Sequence, residues 1–173
     1  MRLTNYFIKK KVQSLASGAA NRKHEFCTLE DAGHVLVLYQ ADDHEFVEPC
    51  LEKLRKMRKK VEACVYVSGS TLPEMKASYT AVHAKKDLDT WQTPSDAIVE
   101  QLKTVRADIL IDLTRSDCYP MQYIMLQHPC RFKVGVKRAD IDLYDLSISL
   151  TEREDIKHLF DHILFYLQAI RSK

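Results

Sequence analysis

Short apolar runs alternate with amphipathic segments along most of the chain, and polar turn residues separate the two. Such runs, where they are short and rich in β-branched residues, are typical of strands buried on both faces of a sheet. They predict strands at residues 34–39, 61–67, 79–83, 108–113, 132–136 and 143–149. The amphipathic segments predict helices over residues 3–15, 43–57, 95–102, 121–127 and 152–170.

Strands that alternate with helices favour a parallel sheet, because each right-handed crossover lays its helix against one face of that sheet. The sequence therefore predicts an α/β fold: a three-layer Rossmann-like open sheet, mainly parallel, with helices on both faces and an additional N-terminal helix. The 173 residues match the size of one domain. We expect residues 1–25 to form an amphipathic helix and connector, and residues 26–173 to form a single Rossmann-like domain.

The helical faces and caps can be assigned in part. Ser95, after Pro94, is placed to cap the third helix. Pro49 leaves two alternatives for the second helix, since its ring would clash with the carbonyl of Glu45. Either the regular helix begins at about Pro49, or its opening turn is distorted. The predicted apolar faces are Leu3, Tyr6, Phe7, Ile8, Val12 and Leu15 in the first helix, and Phe46, Val47, Cys50, Leu51, Leu54 and Met57 in the second.

Composition and charge narrow the class of protein. Hydrophobic residues make up 46% of the chain, and only 4 Gly and 5 Pro are present, which excludes disordered and collagen-like proteins. Lys and Arg number 26 against 24 Asp and Glu, so no overall charge attracts the protein to nucleic acid. The 5 cysteines are odd in number and show no CxxC spacing, which favours reduced thiols. With no signal-peptide pattern and no membrane-length apolar run, we expect a cytoplasmic protein.

Polar residues follow the first predicted strand, where ligands bind in open α/β sheets. Asp42, Asp43 and His44 could accept a proton, contribute to a metal site or bind a hydroxyl-rich ligand. The favoured interpretation is structural, because aspartate is a common helix cap and acidic groups stabilise the helix N-terminus. We therefore expect Asp43 to cap the second helix, with a ligand or catalytic role as the alternative.

A second polar group follows the fourth predicted strand and should lie at the same edge of a parallel sheet. It contains Asp112, Thr114, Arg115 and Asp117. A carboxylate in a central strand needs a partner, which for Asp112 could be Arg115, a backbone donor or a ligand. A structural partner is favoured, and a catalytic role for Asp112 stays the alternative. Thr114, Arg115 and Asp117 are candidate ligand-binding residues.

The turn at residues 68–71, Ser-Gly-Ser-Thr, offers hydroxyl and backbone donors that suit an anion nest. Ser68 and Ser70 are thus ligand-binding candidates, although ordinary turn chemistry is favoured. No GxGxxG or P-loop pattern occurs, so no nucleotide cofactor is expected. Cys118 follows a strand without an identifiable base, and we interpret it as an inert thiol.

Two charged patterns in the chain favour solvated helix faces. His158 and His162 lie well around the last helix from its apolar stripe, so no metal site is expected there. The basic run at residues 53–60 is interrupted by Leu54 and Met57 at core spacing, and no aromatic residues are interleaved with it. Phosphate binding by this run is the less favoured alternative.

Several core segments together resemble a bacterial family of small uncharacterised Rossmann-like proteins. The similarity covers most of residues 34–170 and rests on IDL, RFKVGV, DLSI and YLQAI, in chain order. The resemblance implies a fold and no established reaction. More distantly, the chain is similar to the N-terminal half of heptosyltransferase-like glycosyltransferases, in which a Gly-Asp pair after the first strand is followed by a proline six residues later.

Asp43 and Pro49 match that spacing, and Asp42 stands in place of the glycine. The resemblance implies that Asp43 is the base that activates an acceptor hydroxyl. Because the chain contains no second, nucleotide-sugar domain, we do not expect a complete transferase.

Three hypotheses for the function remain open. The favoured one is a non-catalytic domain that binds a small polar ligand or a protein partner, with no cofactor and no metal. The alternative is a small enzyme, or half of a glycosyltransferase-like protein, that uses Asp43 and needs a partner or homodimer to complete its site. The third is weak binding of nucleic acid or an anionic surface through residues 53–60 and the N-terminal FIKKK, which near-neutral charge argues against.

Overall fold

In the described part of the chain, six parallel strands form the sheet, in agreement with the alternation of strands and helices in the sequence. The computed structural model describes residues 3–19, 25–69, 73–138, 141–150 and 155–169. Across the sheet the strands have the order β3-β2-β1-β4-β5-β6, and each neighbouring pair is parallel. The strands are β1 (His34–Gln40), β2 (Lys60–Val67), β3 (Thr80–His83), β4 (Ile109–Asp112), β5 (Lys133–Val136) and β6 (Leu146–Ile148).

Helices cover both faces of this sheet, which confirms the predicted three-layer α/β fold. Those that the structure describes are α1 (Leu3–Ala19), α2 (His44–Lys56), α3 (Asp96–Lys103), α4 (Tyr119–Gln127) and α5 (Ile156–Ala169). Helices α2 and α5 pack on one face, and α1, α3 and α4 pack on the other. Ser95 caps α3 as expected, since its Oγ accepts a hydrogen bond from the Ile98 N–H at 3.4 Å.

The N-terminal helix packs against α4 and belongs to the core of the protein. Its buried side chains are Ile8, Val12 and Ala16, which are spaced by one helical turn each. Leu3, Tyr6 and Phe7, which also belong to the predicted apolar face, are exposed. The prediction of one continuous buried face is therefore wrong at the start of α1.

The second helix resolves the two alternatives raised by Pro49. A single 3-10 turn, Ala41–Asp43, follows β1, and the regular helix begins at His44. Pro49 lies inside the helix on its exposed side, so the Glu45 carbonyl that lacks a helical donor is near solvent. The helix thus continues through the proline, and the irregular part is its opening turn.

The sheet has a topological switch point between β1 and β4. From β1 the chain continues outward through β2 to β3, whereas from β4 it continues in the other direction through β5 to β6. The register pairs Leu38 with Asp112, so the segments that follow β1 and β4 leave the sheet side by side. Open α/β sheets bind ligands in the crevice outside the strand ends at such a point.

Candidate functional site

The segments after β1 and β4 meet at the switch point through an arginine–aspartate pair. Arg115 follows β4, and its Nη2 donates to Asp43 Oδ1 at 3.2 Å. The Arg115 backbone N–H donates to Gln40 Oε1 at 2.8 Å, which fixes the β4 segment to the end of β1. Two polar groups that are distant in the sequence are therefore joined in the fold.

Asp43 does not cap α2, and this prediction is wrong. It lies directly before the helix, but its side chain makes no capping hydrogen bond. A capping aspartate has an extended backbone that aims its carboxylate at the first N–H groups. Asp43 instead continues a 3-10 turn, with φ −97° and ψ 5°. Its carboxylate is aimed at Arg115, and its Oδ2 is buried without a donor among the described residues.

Asp112 has a complete set of hydrogen-bond donors. Its Oδ1 accepts from the Thr114 N–H at 2.9 Å and from the Thr114 hydroxyl at 2.6 Å. Its Oδ2 accepts from the Tyr144 hydroxyl at 2.7 Å. The favoured structural partners are thus present, but Arg115 is not one of them because it reaches Asp43. Three donors therefore stabilise this fully buried carboxylate, and no counterion among the described residues is in direct contact with it.

Arg138 extends this network towards the surface. Its Nη2 donates to the Tyr144 hydroxyl at 3.2 Å and to the Thr114 carbonyl at 3.1 Å. Burial raises the pKa of Tyr144 well above its usual value, and the nearby Asp112 carboxylate acts in the same direction. The phenol therefore stays protonated, donates to Asp112 and accepts from Arg138. Arg138 Nε is buried and has no acceptor among the residues that the structure describes.

A cleft of about 700 Å³ opens at these strand ends, and we call it the first cleft. Asp155, which precedes α5, is part of its rim and accepts a hydrogen bond from the His158 N–H at 2.9 Å. This bond lowers the pKa of Asp155, so its carboxylate is charged at neutral pH. The polar lining consists of Asp43, Thr114, Arg115, Ser116, Asp117, Arg138 and Asp155. The apolar lining consists of Phe46, Leu113, Val136, Leu150, Ile156 and Leu159.

Other residues named from the sequence lie elsewhere. Asp42 is exposed and is not part of the cleft lining. His44 is turned towards β1: its Nδ1 lies 2.8 Å from the Tyr39 hydroxyl, and the two rings stack. Ser68 is exposed after β2, and Ser70 lies outside the described residues. The anion nest predicted there stays a prediction.

The Cys118 thiol is buried, and the two histidines lie on the solvated face of the last helix that the sequence predicted. Cys118 is buried, and burial raises the pKa of its thiol to about 12. His158 and His162 are exposed on α5. No group of three or more His, Cys, Asp or Glu side chains in the described part of the chain could hold a metal ion.

The basic run at residues 53–60 carries ion pairs on the surface of α2. Lys53 Nζ lies 3.3 Å from Asp161 Oδ1, and Arg55 Nη1 lies 3.3 Å from Glu48 Oε1. Leu54 is buried beneath them. These contacts agree with the predicted solvated face, since acidic neighbours offset part of the positive charge.

Sequence reasoning missed Arg138, Tyr144 and Asp155. Arg138 had a usable signal, because it comes just after β5 in the same way that Arg115 comes just after β4. Tyr144 had none, since its contact with Asp112 depends on how the loop before β6 folds over the sheet. Asp155 lies next to residues 151–154, which the structure does not describe.

The chain belongs to the family of unknown function DUF6913, whose model matches residues 4–170. This agrees with the predicted membership of an uncharacterised family. No curated protein and no solved structure shows a significant match. Among the described helices, none has the length and apolar character needed to cross a membrane.

Proposed function

We propose that this DUF6913 protein is a non-catalytic binding domain that holds a small polar ligand in the first cleft. The observation that supports this function is the buried Oδ2 atom of Asp43, which has no donor among the described residues. A buried charged acceptor without a partner costs more than about 1–3 kcal/mol, whereas most such atoms in native proteins are satisfied. A ligand with a hydroxyl or amino group would supply the missing donor.

The charges around the cleft restrict the ligand further. Among the described residues of the lining, three carboxylates (Asp43, Asp117 and Asp155) face two cations (Arg115 and Arg138), which gives these residues a formal charge of −1. Such a cleft favours neutral or cationic ligands over free anions. Its apolar wall suits a hydrocarbon ring or chain. A polyol, a sugar or an amine therefore fits better than a nucleotide phosphate.

Arg115 keeps the carboxylate of Asp43 in position for this ligand. Its side chain is 55% exposed, so the ion pair is screened by water and is weak as a source of stability. Because the pair uses only Oδ1, the buried Oδ2 keeps its capacity to accept a hydrogen bond from a ligand. We infer that the pair orients Asp43 and closes one side of its binding position.

The enzymatic alternative rests on the same atom. Oδ2 of Asp43 is where a proton from an acceptor hydroxyl would be taken up, as the resemblance to glycosyltransferases implies. The two functions differ in one measurable respect: a binding domain returns its ligand unchanged, and an enzyme converts it.

A thermal-shift screen against sugars, polyols, amines, nucleotides and divalent metals tests the proposal. The variants are Asp43→Asn and, as a matched control, Asp42→Asn, which changes an exposed neighbour outside the cleft. A ligand of the folded state raises the melting temperature in a saturable way. We expect a hydroxyl or amino compound to do so with the wild type and Asp42→Asn, and to bind Asp43→Asn at least about tenfold more weakly.

Two outcomes would contradict ligand binding at Asp43: silence across the whole panel, or equal binding by all three proteins. Any compound that binds is then incubated with the protein, and its products are analysed by mass spectrometry. Conversion that depends on Asp43 would replace the binding domain with the enzymatic alternative.

A further inference from the structure

We infer that an exposed aromatic patch beside α1 binds the surface of a bilayer that contains anionic phospholipids. The aromatic patch consists of Tyr6 and Phe7 of α1 and Trp91 of the turn before α3, which are 47%, 42% and 45% exposed. These three residues do not line the first cleft. The inference therefore goes beyond the proposed function and does not depend on it.

Direct contacts join the members of the aromatic patch into one surface. The ring centres of Phe7 and Trp91 lie 4.8 Å apart, and those of Tyr6 and Phe7 lie 5.6 Å apart. Lys11 Nζ donates to Thr93 Oγ1 at 3.1 Å, which ties the turn to the helix. Single exposed apolar residues are common on proteins, whereas a contiguous group from two elements indicates an interaction surface.

The turn that carries Trp91 is ordered by its own hydrogen bonds. Asp89 Oδ1 accepts from the N–H groups of Trp91 at 2.8 Å and Thr93 at 3.0 Å, and the Asp89 N–H donates to the Thr93 carbonyl at 2.9 Å. Gln92 has a φ of 65°, which is uncommon for a residue with a side chain. This turn holds the one tryptophan of the chain half exposed, where a partner can reach it.

The side chains of the aromatic patch suit a membrane–water interface. Tryptophan and tyrosine concentrate there, because each combines an apolar ring with a polar group that stays hydrated. A turn and the first part of a helix can enter the headgroup region without crossing the membrane. Nucleic acid fits less well, since the rings meet at 80° and 68° and do not form parallel platforms for stacked bases.

Lysines beside the aromatic patch select anionic lipids. Lys10 Nζ lies 5.5 Å from the centre of the Tyr6 ring, and the contact of Lys11 is with a hydroxyl, so neither contact offsets a positive charge. Helix α1 contains no aspartate or glutamate. Anionic headgroups attract such lysines. A second copy of the chain would oppose the same lysines to each other across a twofold axis, which like-charge repulsion disfavours.

Tryptophan fluorescence of the full-length protein tests the inference directly, because Trp91 is the one tryptophan in the chain. The protein is titrated with vesicles of phosphatidylcholine alone and with vesicles of an equal mixture of phosphatidylcholine and phosphatidylserine. Sedimentation with the vesicles gives the affinity independently. The variants Tyr6→Ser and Lys10→Gln each change one exposed side chain at the aromatic patch.

Helix α5 supplies matched controls on the opposite face of the sheet. Tyr166 is 48% exposed, and its ring centre lies 5.6 Å from that of the neighbouring Phe165, as in the pair on α1. Tyr166→Ser therefore removes an equivalent aromatic group. Lys157→Gln removes an exposed lysine from the same control helix.

We expect a saturable blue shift of the Trp91 emission with the mixed vesicles, and release of the protein as the salt concentration rises. Lys10→Gln should weaken binding about fivefold, and Tyr6→Ser at least about fivefold, whereas both α5 variants should stay within about twofold of the wild type. Asp43→Asn should bind the vesicles like the wild type, because Asp43 lines the first cleft. Failure of the proposed function is thus distinguishable from failure of this inference.

Three results would overturn the inference: an unchanged emission spectrum with the mixed vesicles, equal affinity for phosphatidylcholine alone, or equal losses in the α1 and α5 variants. Size-exclusion chromatography and a titration with single-stranded DNA identify the other occupants. A dimer that Tyr6→Ser dissociates, in a protein that ignores vesicles, would assign the aromatic patch to a second copy. Binding of DNA in place of vesicles, with the same dependence on Tyr6 and Lys10, would assign it to nucleic acid.

Discussion

Asp43 and Asp112 lie at the ends of neighbouring strands and are both buried, yet their carboxylates differ in hydrogen bonding. Asp112 is 0% exposed, and both of its oxygens accept bonds from Thr114 or Tyr144. Asp43 is 8% exposed, and its Oδ2 accepts none from the described residues. Burial alone would rank Asp112 as the better site residue. The count of donors instead makes Asp112 a structural group and Asp43 the candidate for binding.

Removing the Tyr144 hydroxyl tests the structural role of Asp112. In Tyr144→Phe the buried Oδ2 of Asp112 loses the donor that lies at 2.7 Å. Because this leaves a charged acceptor unsatisfied, we expect the free energy of unfolding to fall by roughly 1–3 kcal/mol. Urea denaturation followed by circular dichroism measures the change.

Tyr123→Phe is the matched control, since it deletes the same atom from a half-buried tyrosine on α4. The Tyr123 hydroxyl has no hydrogen bond to the described residues, so this variant should stay within about 0.5 kcal/mol of the wild type. Equal stability of the two variants would show that Tyr144 is not a significant donor to Asp112.

At the scale of elements, a glycine in β5 allows the loop before β6 to pack closely against that strand. A Cβ built on Gly135 would overlap the ring of Tyr144, so the close approach of the ring to the strand requires glycine. This approach brings the Tyr144 hydroxyl to Asp112 in β4. Gly135 in β5 therefore supports the hydrogen bond between Tyr144 and Asp112, although it makes no part of that bond itself. Gly18 in α1 is different, since a Cβ there would meet no atom within 4 Å.

The same substitution at these two glycines should have opposite effects on stability. Gly135→Ala forces the Tyr144 ring away from Asp112, and we expect a loss of about 1–3 kcal/mol. Gly18 lies in a helix and its φ is not positive, so alanine can adopt the same backbone conformation, and its Cβ would meet open space. Gly18→Ala should therefore raise the free energy of unfolding by up to about 1 kcal/mol. Urea unfolding curves of both variants give the signs, and two changes of the same sign would contradict this account.

For the molecule as a whole, the sequence predicted the class of fold because apolar runs and helical periodicity are local signals. The strand order was not predictable in the same way. Strand β1 pairs with β4, some seventy residues later in the chain, and no local pattern encodes that pairing. The exposed start of α1 was missed for a related reason, since helical spacing shows that Tyr6 and Phe7 share a face and does not show how far along that face the packing extends.

The candidate site was predicted in part for similar reasons. Asp43 and Arg115 could be named because polar residues directly after apolar strands are visible in the sequence. Their ion pair could not, since capping by Asp43 is the commoner local solution and only the fold shows that its carboxylate faces Arg115. Tyr144 joins the network through a contact across three strands that depends on Gly135.

The burial of the cysteines should make the stability of the folded protein depend on pH above 9. All five are free thiols, and four of them are buried. Burial raises the pKa of Cys50 to about 11 and that of Cys118 to about 12. It also raises the pKa values of Cys27, Cys64 and Cys130 above the ordinary value of 9.0. The folded protein therefore retains thiol protons that the unfolded chain releases.

Stability should consequently fall as the pH rises above 9.0, the pKa of the unfolded thiols. A raised pKa in the folded state gives stability that is fully present below pH 9 and is lost towards pH 11 or 12. For Cys50 and Cys118 the loss approaches about 1.4 kcal/mol per thiol and per pH unit within that window. Urea midpoints between pH 8 and 11, with a reducing agent present, measure it. Cys118→Ala removes one such thiol and should make the decline shallower by about that slope, whereas a decline identical to that of the wild type would exclude ionisation of Cys118 as a contributor.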